Sequence, residues 1–204
     1  YPQFHADTRT EPIAFSIATE QMIDGLDNTM FAVSNDEYRQ IMQGVLMDVN
    51  PDSITFVATD TRKLVRYIDR RTAPGVKGSC VIPSKPSNVI KTVFAKEETL
   101  NITMNASNAV IESKNFTFQC TFLNGNYPDY NRVIPKNNTQ VLTVDRLSFL
   151  NAVRRVGLFV EVDGGLEKFR ITPESMLLKS NDPSLCTSAR EQVPCSFTGS
   201  ELTI

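Results

Sequence analysis

The segment Val45-Leu-Met-Asp-Val-Asn-Pro-Asp-Ser-Ile-Thr-Phe-Val-Ala-Thr-Asp60 aligns without a gap on Glu167-Lys-Phe-Arg-Ile-Thr-Pro-Glu-Ser-Met-Leu-Leu-Lys-Ser-Asn-Asp182 at an offset of 122 residues. The offset sets Pro51 on Pro173, Ser53 on Ser175 and Asp60 on Asp182. Each block reads as strand, four-residue turn, strand. Asn50-Pro-Asp-Ser53 and Thr172-Pro-Glu-Ser175 supply the turn chemistry, with apolar runs on either side. Upstream of each block, helical spacing predicts a helix: residues 19–31 with Met22, Ile23, Leu26 and Met30, and residues 145–157 with Leu147, Leu150, Val153 and Val156. Each helix follows a short alternating strand, residues 13–17 and 141–144. The order strand, helix, strand, turn, strand therefore occurs twice, as expected of a repeated unit.

The first copy continues. Strands are predicted near residues 64–68 and 77–82, then a helix over 83–94 with Val89, Ile90, Val93 and Phe94 apolar. Further strands follow near 100–104, 109–113 and 116–122, and the loop Asn124-Gly-Asn-Tyr-Pro-Asp-Tyr130 leads to Val133-Ile134-Pro135. The second copy reaches Ile204, which the same offset places on Ile82. The expected organisation is one and a half units of ~125 residues, an ordinary domain size. Residues 1–136 form one complete unit with an N-terminal linker at 1–10, and residues 137–204 form the truncated first half of another. The fold class is α+β, with two helices per unit packed on antiparallel sheets.

The chain has 204 residues, 41% hydrophobic and 22% charged, with a net charge of −2, the balance of an ordinary globular protein. No run approaches the ~20 apolar residues of a membrane span. Residues 1–10 show no basic stretch followed by an apolar one, so no signal peptide is read and a cytoplasmic location is expected. The slightly acidic balance excludes a surface that is basic all over; any nucleic-acid contact must come from local stripes. Cys80, Cys120, Cys186 and Cys195 form no C-x-x-C pair, and His5 is the one histidine, so neither a zinc site nor a disulfide framework is expected. The cysteines read as buried, reduced thiols and His5 as a solvated linker residue.

Asn-x-Ser/Thr sequons at Asn101, Asn105, Asn115 and Asn137, with the many short strands, define a rival reading as a secreted β-rich ligand-binding domain. A third reading makes Asp60, Asp69 and Asp129 the metal cluster of a nuclease, although Asp60 and Asp129 fit turn positions better. No phosphate loop of the G-x-x-x-x-G-K-[ST] type and no G-x-S-x-G elbow occurs. No catalytic residue, metal or cofactor is expected.

Three segments carry a resemblance: Phe31-Ala-Val-Ser-Asn-Asp-Glu-Tyr-Arg-Gln-Ile-Met-Gln-Gly-Val-Leu46, Phe56-Val-Ala-Thr-Asp-Thr-Arg-Lys-Leu64 and Leu123-Asn-Gly-Asn-Tyr-Pro-Asp-Tyr-Asn-Arg-Val-Ile-Pro135. In order and spacing they resemble the bacterial DNA sliding clamps, the beta subunits of the replicative polymerase, strongly to Pro135 and weakly afterwards. The second segment is similar to the family's V-A-T-D-G-H-R-L motif and the third to G-R-F-P-D-Y-R-R-V-I-P. The resemblance implies a clamp fold of three repeated units per chain and a homodimeric ring around duplex DNA. It implies a non-catalytic processivity factor whose partners are the replicative polymerase, the clamp loader and other proteins with a clamp-binding motif. By this alignment the chain holds the middle domain and half of the last, and the pieces it lacks make the ring-closing contact. It departs from the pattern at Thr61, where the family has Gly, and at Arg62-Lys63, where it has His-Arg.

Carried over residue by residue, the resemblance places a peptide-motif pocket at Met42, Thr59, Thr61, Arg62, Lys63, Leu64, Pro128, Arg132 and Val133. An apolar floor rimmed by donors fits an anchor side chain. Without the resemblance, Thr61-Arg-Lys63 reads as a solvated turn and Tyr127-Pro-Asp-Tyr130 as a linker. The DNA-facing expectation comprises Lys85, Lys91 and Lys96 on and after helix 83–94, Arg146, Arg154 and Arg155 on helix 145–157, and Arg39 by resemblance alone. Cations that meet phosphate through charge give no sequence preference. Helix 19–31, with Glu20, Asp24 and Asp27 and no Lys or Arg, runs against a uniformly basic lining.

Overall fold

The first turn of the repeat closes as its residues require. In a computed structural model that describes residues 11–160 and 167–204, strands β2 (Gly44–Asn50) and β3 (Ser53–Thr59), which follow β1 (Ile13–Ala18), pair antiparallel with Asn50 opposite Ser53 and Leu46 opposite Val57. The offset of 122 reproduces this register: β10 (Lys168–Ile171) and β11 (Ser175–Asp182) pair with Lys168 opposite Lys179 and Ile171 opposite Met176. The Thr172 amide donates to the Ser175 carbonyl at 2.8 Å, so both turns span four residues. His5 and the linker expected at 1–10 lie outside the described residues.

The chain divides into two compact units between Val133 and Ile134. In the first unit, β4 (Leu64–Asp69) and β5 (Gly78–Pro83) flank the hairpin in the order β4-β3-β2-β5. A second sheet, in the order β1-β6-β7-β8, takes in β6 (Thr99–Met104), β7 (Asn108–Glu112) and β8 (Thr117–Thr121). Helices α1 (Thr19–Asp27) and α2 (Ser84–Val93) share one core with both sheets: Met22 and Leu26 of α1 and Ile90 of α2 meet Met47, Phe56, Ile82, Leu100 and Ile111. The α1 contact is close, since a Cβ added to Gly25 would lie 2.3 Å from the Phe56 ring. Burying such side chains is worth about 1.5–3 kcal/mol each relative to exposure. A one-turn helix, α3 (Tyr130–Val133), ends the unit.

The second unit repeats the order with β9 (Leu142–Val144), α4 (Arg146–Gly157), β10, β11, β12 (Thr187–Phe197) and β13 (Leu202–Thr203). Its sheet runs β13-β10-β11-β12-β9, so β12-β11-β10-β13 matches β4-β3-β2-β5. Strand β9 pairs with the end of β12, Val144 opposite Cys195, whereas β1 pairs with β6. Helix α4 is capped by Asp145, whose Oδ1 accepts from the Ser148 amide at 2.8 Å. Ser180 Oγ donates to the Val156 carbonyl at 2.7 Å and ties the far end of α4 to β11.

Two expectations need correction. The helix predicted over 19–31 stops at Asp27, and a separate 3-10 turn covers Met30–Ala32. Thr29 Oγ1 donates back to the Gly25 carbonyl at 2.7 Å, a side-chain bond that competes with the helical ladder. Nor are all four thiols buried: Cys80 and Cys120 are, Cys195 is half-buried, and Cys186 is exposed, with φ 52°, in the turn between β11 and β12.

Candidate functional site

Strands β2 and β3 are buried along nearly their whole length, which a sheet covered on one side would not allow. The inner face meets the helices. On the outer face Leu46, Val57 and Val81 form a second apolar cluster, covered by Ile41, Leu64, Leu123, Tyr127 and Tyr130. The cover comes from a 3-10 segment, Glu37–Met42, and from residues 123–130. Tyr127 Oη donates to the Val57 carbonyl at 3.4 Å and Tyr130 Oη to Asp48 Oδ2 at 3.1 Å. Burial pushes the Tyr127 phenol up to about 12 and raises that of Tyr130, where the Asp48 carboxylate adds to the effect. Both rings therefore stay neutral at physiological pH.

This cover leaves a groove of about 350 Å³ lined by Met42, Thr59, Thr61, Arg62, Lys63, Leu64, Tyr127, Pro128, Tyr130 and Val133. Eight of the nine residues expected from the sequence come together here. Arg132 does not line it; its side chain is 86% exposed, with Nε 3.0 Å from Asp129 Oδ2. Tyr127 and Tyr130 line the groove though the sequence reading omitted them; their place in the Tyr127-Pro-Asp-Tyr130 motif was the available signal. Leu64 is partly buried while Val133 is 65% exposed, so the groove offers apolar surface to solvent.

The β3–β4 turn that forms one wall is held by its own side chains. Asp60 Oδ1 accepts from the amides of Arg62 at 3.0 Å and Lys63 at 2.9 Å, and Oδ2 meets Lys63 Nζ at 2.5 Å. The Lys63 ammonium and these amides hold the Asp60 carboxyl well below the usual carboxylate range. Thr59 Oγ1 accepts from the Thr61 amide at 3.1 Å and donates to the Lys63 carbonyl at 2.8 Å. Thr61 is driven to φ 78°, the left-handed region that a β-branched residue rarely occupies. Its Oγ1 accepts from Arg39 Nη1 at 2.8 Å. Arg39 thus stands at the rim of this groove, with its Nε 3.5 Å from Asp36 Oδ2.

The helix cations differ in their surroundings. Lys91 on α2 is paired with Asp27 on α1, and Asp24 lies 2.7 Å from Arg71 Nη2. The two aspartates of the acidic helix are thus matched by cations of neighbouring elements. Arg155 is engaged by Glu191 of β12 at 3.0 and 2.5 Å. Lys85, Lys96, Arg146 and Arg154 are exposed and form no ion pair with another described residue.

The three aspartates of the nuclease reading have separate structural partners. Asp60 closes its turn. Asp69 is buried, which alone would raise its pKa, but Arg71 and Gln21 bind it and hold it below the ordinary value. Asp129 accepts from the Asn131 amide at 3.2 Å. No group of three metal-ligating side chains occurs among the described residues, and no described helix is long and apolar enough to cross a membrane.

Similar proteins share both sequence and architecture. The chain is 29% identical over 208 residues to the beta sliding clamp of Bacillus subtilis, covering 100% of this chain and 54% of that one. It is 27% identical over 197 residues to that of Synechococcus elongatus, covering 94% and 52%. It superimposes with a TM-score of 0.87 and 26% identity on the crystal structure of a sliding clamp from Bartonella birtlesii bound to griselimycin, covering 100% of this chain and 56% of that chain. The chain therefore spans about half the length of the relatives it matches. The sequence profile of the central domain of the DNA polymerase III beta subunit matches residues 16–129, more than half of the chain, and the chain belongs to the DNA polymerase III beta subunit family.

Proposed function

We propose that the protein carrying this chain is a DNA polymerase processivity factor: a non-catalytic, cytoplasmic homodimeric ring that encircles duplex DNA and tethers the replicative polymerase, the clamp loader and other motif-bearing proteins. On this reading residues 1–136 are its middle domain and 137–204 the first half of its last domain. The observation that carries the reading is the groove in the first unit, where two distant motifs supply an apolar floor and a rim of donors. Its occupant is an extended peptide with a Gln followed by a short apolar run. The exposed Lys85, Lys96, Arg146 and Arg154 are assigned to sequence-independent phosphate contact, and Arg39 to the peptide site. Such DNA contact weakens steeply as salt rises.

Burying an apolar anchor gains roughly 25 cal/mol per Å², most of it offset by ordering the peptide. Micromolar affinity, about −8 kcal/mol, is the expected scale. Titrating labelled peptide against the full-length protein tests this. Leu64→Asp puts an unpaired carboxylate on the floor, with a desolvation penalty of about 1–3 kcal/mol or more, and should weaken binding at least about tenfold. Equal affinity in a folded Leu64→Asp variant would place the peptide elsewhere.

A further inference from the structure

Thr61 stands where the family pattern has glycine, and its backbone shows why glycine would be at ease there: φ is 78°. A β-branched residue is a steric outlier in this region, and such strain persists only where its surroundings hold it. What glycine cannot supply is a hydroxyl. Thr61 Oγ1 accepts from Arg39 Nη1 at 2.8 Å, a bond spanning 22 positions of sequence.

The two ends of that bond belong to different walls of the groove. Arg39 lies in the 3-10 segment that ends at Met42, and the segment is interrupted at Arg39 itself, with φ −115° and ψ 54°. Met42 lines one wall, and Thr61, Arg62 and Lys63 line the other. Each wall also has bonds of its own: Asp36 accepts from the Tyr38 amide at 2.9 Å, and Asp60 from the amides of its own turn.

We propose that the Arg39–Thr61 hydrogen bond is a strut that sets the width of the peptide groove, with Thr61 and Arg39 acting as positioning residues. The inference rests on the assignment of the groove to a peptide. The groove is already open with the strut formed, so the bond shapes the site before the peptide arrives. Losing it lets the Met42 wall and the β3–β4 turn move independently, and ordering them falls to the peptide.

The test uses the full-length protein and a labelled peptide with a Gln followed by an apolar run. Thr61→Val keeps the branched shape and the strained backbone but removes the acceptor. Arg39→Met keeps length but removes the donor. Each should weaken the peptide about two- to tenfold, the range of a single net hydrogen bond. Thr61→Ser, which keeps the hydroxyl, should bind within about twofold of wild type. The double variant Arg39→Met/Thr61→Val should be no weaker than either single variant, because both remove one bond. Thermal melts establish that each variant is folded, and exposed Arg39 gives a variant that does not disturb the core.

Wild-type affinity in both single variants, losses that multiply in the double, or failure of Thr61→Ser to rescue would each overturn the strut, provided Leu64→Asp still weakens binding at least about tenfold. If Leu64→Asp binds as wild type does, the groove assignment fails and the strut falls with it.

Discussion

The hairpins β2–β3 and β10–β11 share turn length, strand pairing and flanking order, yet they meet solvent differently. In the first, Leu46 stands opposite Val57 on the outer face, with Val81 next in the row, and all three are buried. In the second, the offset puts Lys168 opposite Lys179, with Arg190 next in the row, and all three are exposed. Strand β11 accordingly alternates buried and open positions, while β3 is buried almost throughout. The inner faces match in kind: Met47 and Phe56 correspond to Phe169 and Leu178, and each pair joins its unit's core. The scaffold is therefore common property of the repeat, and the groove is not. It arises where an apolar outer row lets residues 37–42 and 123–130 settle on the sheet.

The largest effect should come from exchanging the rows. Val57→Lys places an unpaired ammonium in a fully buried position and should destabilise the first unit by more than about 3 kcal/mol. The reverse change, Lys179→Val, lands on an exposed position and separates two like charges. It should stabilise the second unit by about 0.2–1 kcal/mol. Urea unfolding of both variants checks this, and comparable losses would mean that the two outer faces are not distinct environments.

A smaller effect is expected at the helix seam. Gly25 is the seventh residue of α1 and sits on Phe56, whereas the seventh residue of α4 is the buried Ala152, in a core where Leu178 replaces the phenyl ring. Small-on-large has become larger-on-smaller. Gly25→Ala alone should cost about 1–3 kcal/mol through overpacking. Adding Phe56→Leu should recover part of that loss; a double variant weaker than the sum of the singles would break the correspondence.

The smallest effect separates the turn aspartates. Asp60 and Asp182 each accept from the amides two and three residues on, but Asp60 also meets the Lys63 ammonium where Asp182 meets the Ser184 hydroxyl. Both carboxyls lie below their ordinary value, Asp60 through Lys63 and Asp182 through Ser184. The folded protein thus binds fewer protons at these sites than the unfolded chain. Their contribution is present above pH ~4 and is lost as pH falls through the folded values. Carboxyl chemical shifts followed on acid titration should show Asp60 titrating at the lower pH. Lys63→Met should move Asp60 toward the behaviour of Asp182 and leave Asp182 unchanged.

Much of this fold was readable because the relevant signals are local. Turn chemistry at Asn50–Ser53 and Thr172–Ser175, and helical spacing over 145–157, state their structure within a few residues. The early end of α1 was harder, since Met30 continues the apolar spacing while the Thr29 hydroxyl, bonded to Gly25, breaks the ladder. The groove was legible only through motif resemblance, because its walls come from residues 42, 59–64 and 127–133, which only the sheet brings together. The bond from Arg39 was hidden for the same reason: nothing near it in sequence names Thr61, 22 positions away, as its partner.

The pairing of β1 with β6 sets Ile13 opposite Met104, with Ser16 donating to Asn101 across 85 positions. The hairpin β2–β3 closes over two turn residues and can form in about 1–10 μs, as hairpins do. Strand β1 must wait far longer, since its partner is not made until nearly the whole unit has been synthesised. Until then its apolar positions, Phe15 and Ile17, and an unpaired strand edge are open to other chains. The nascent unit therefore has a vulnerable interval in which non-local pairing is incomplete and an open strand edge can meet those of other unfinished chains.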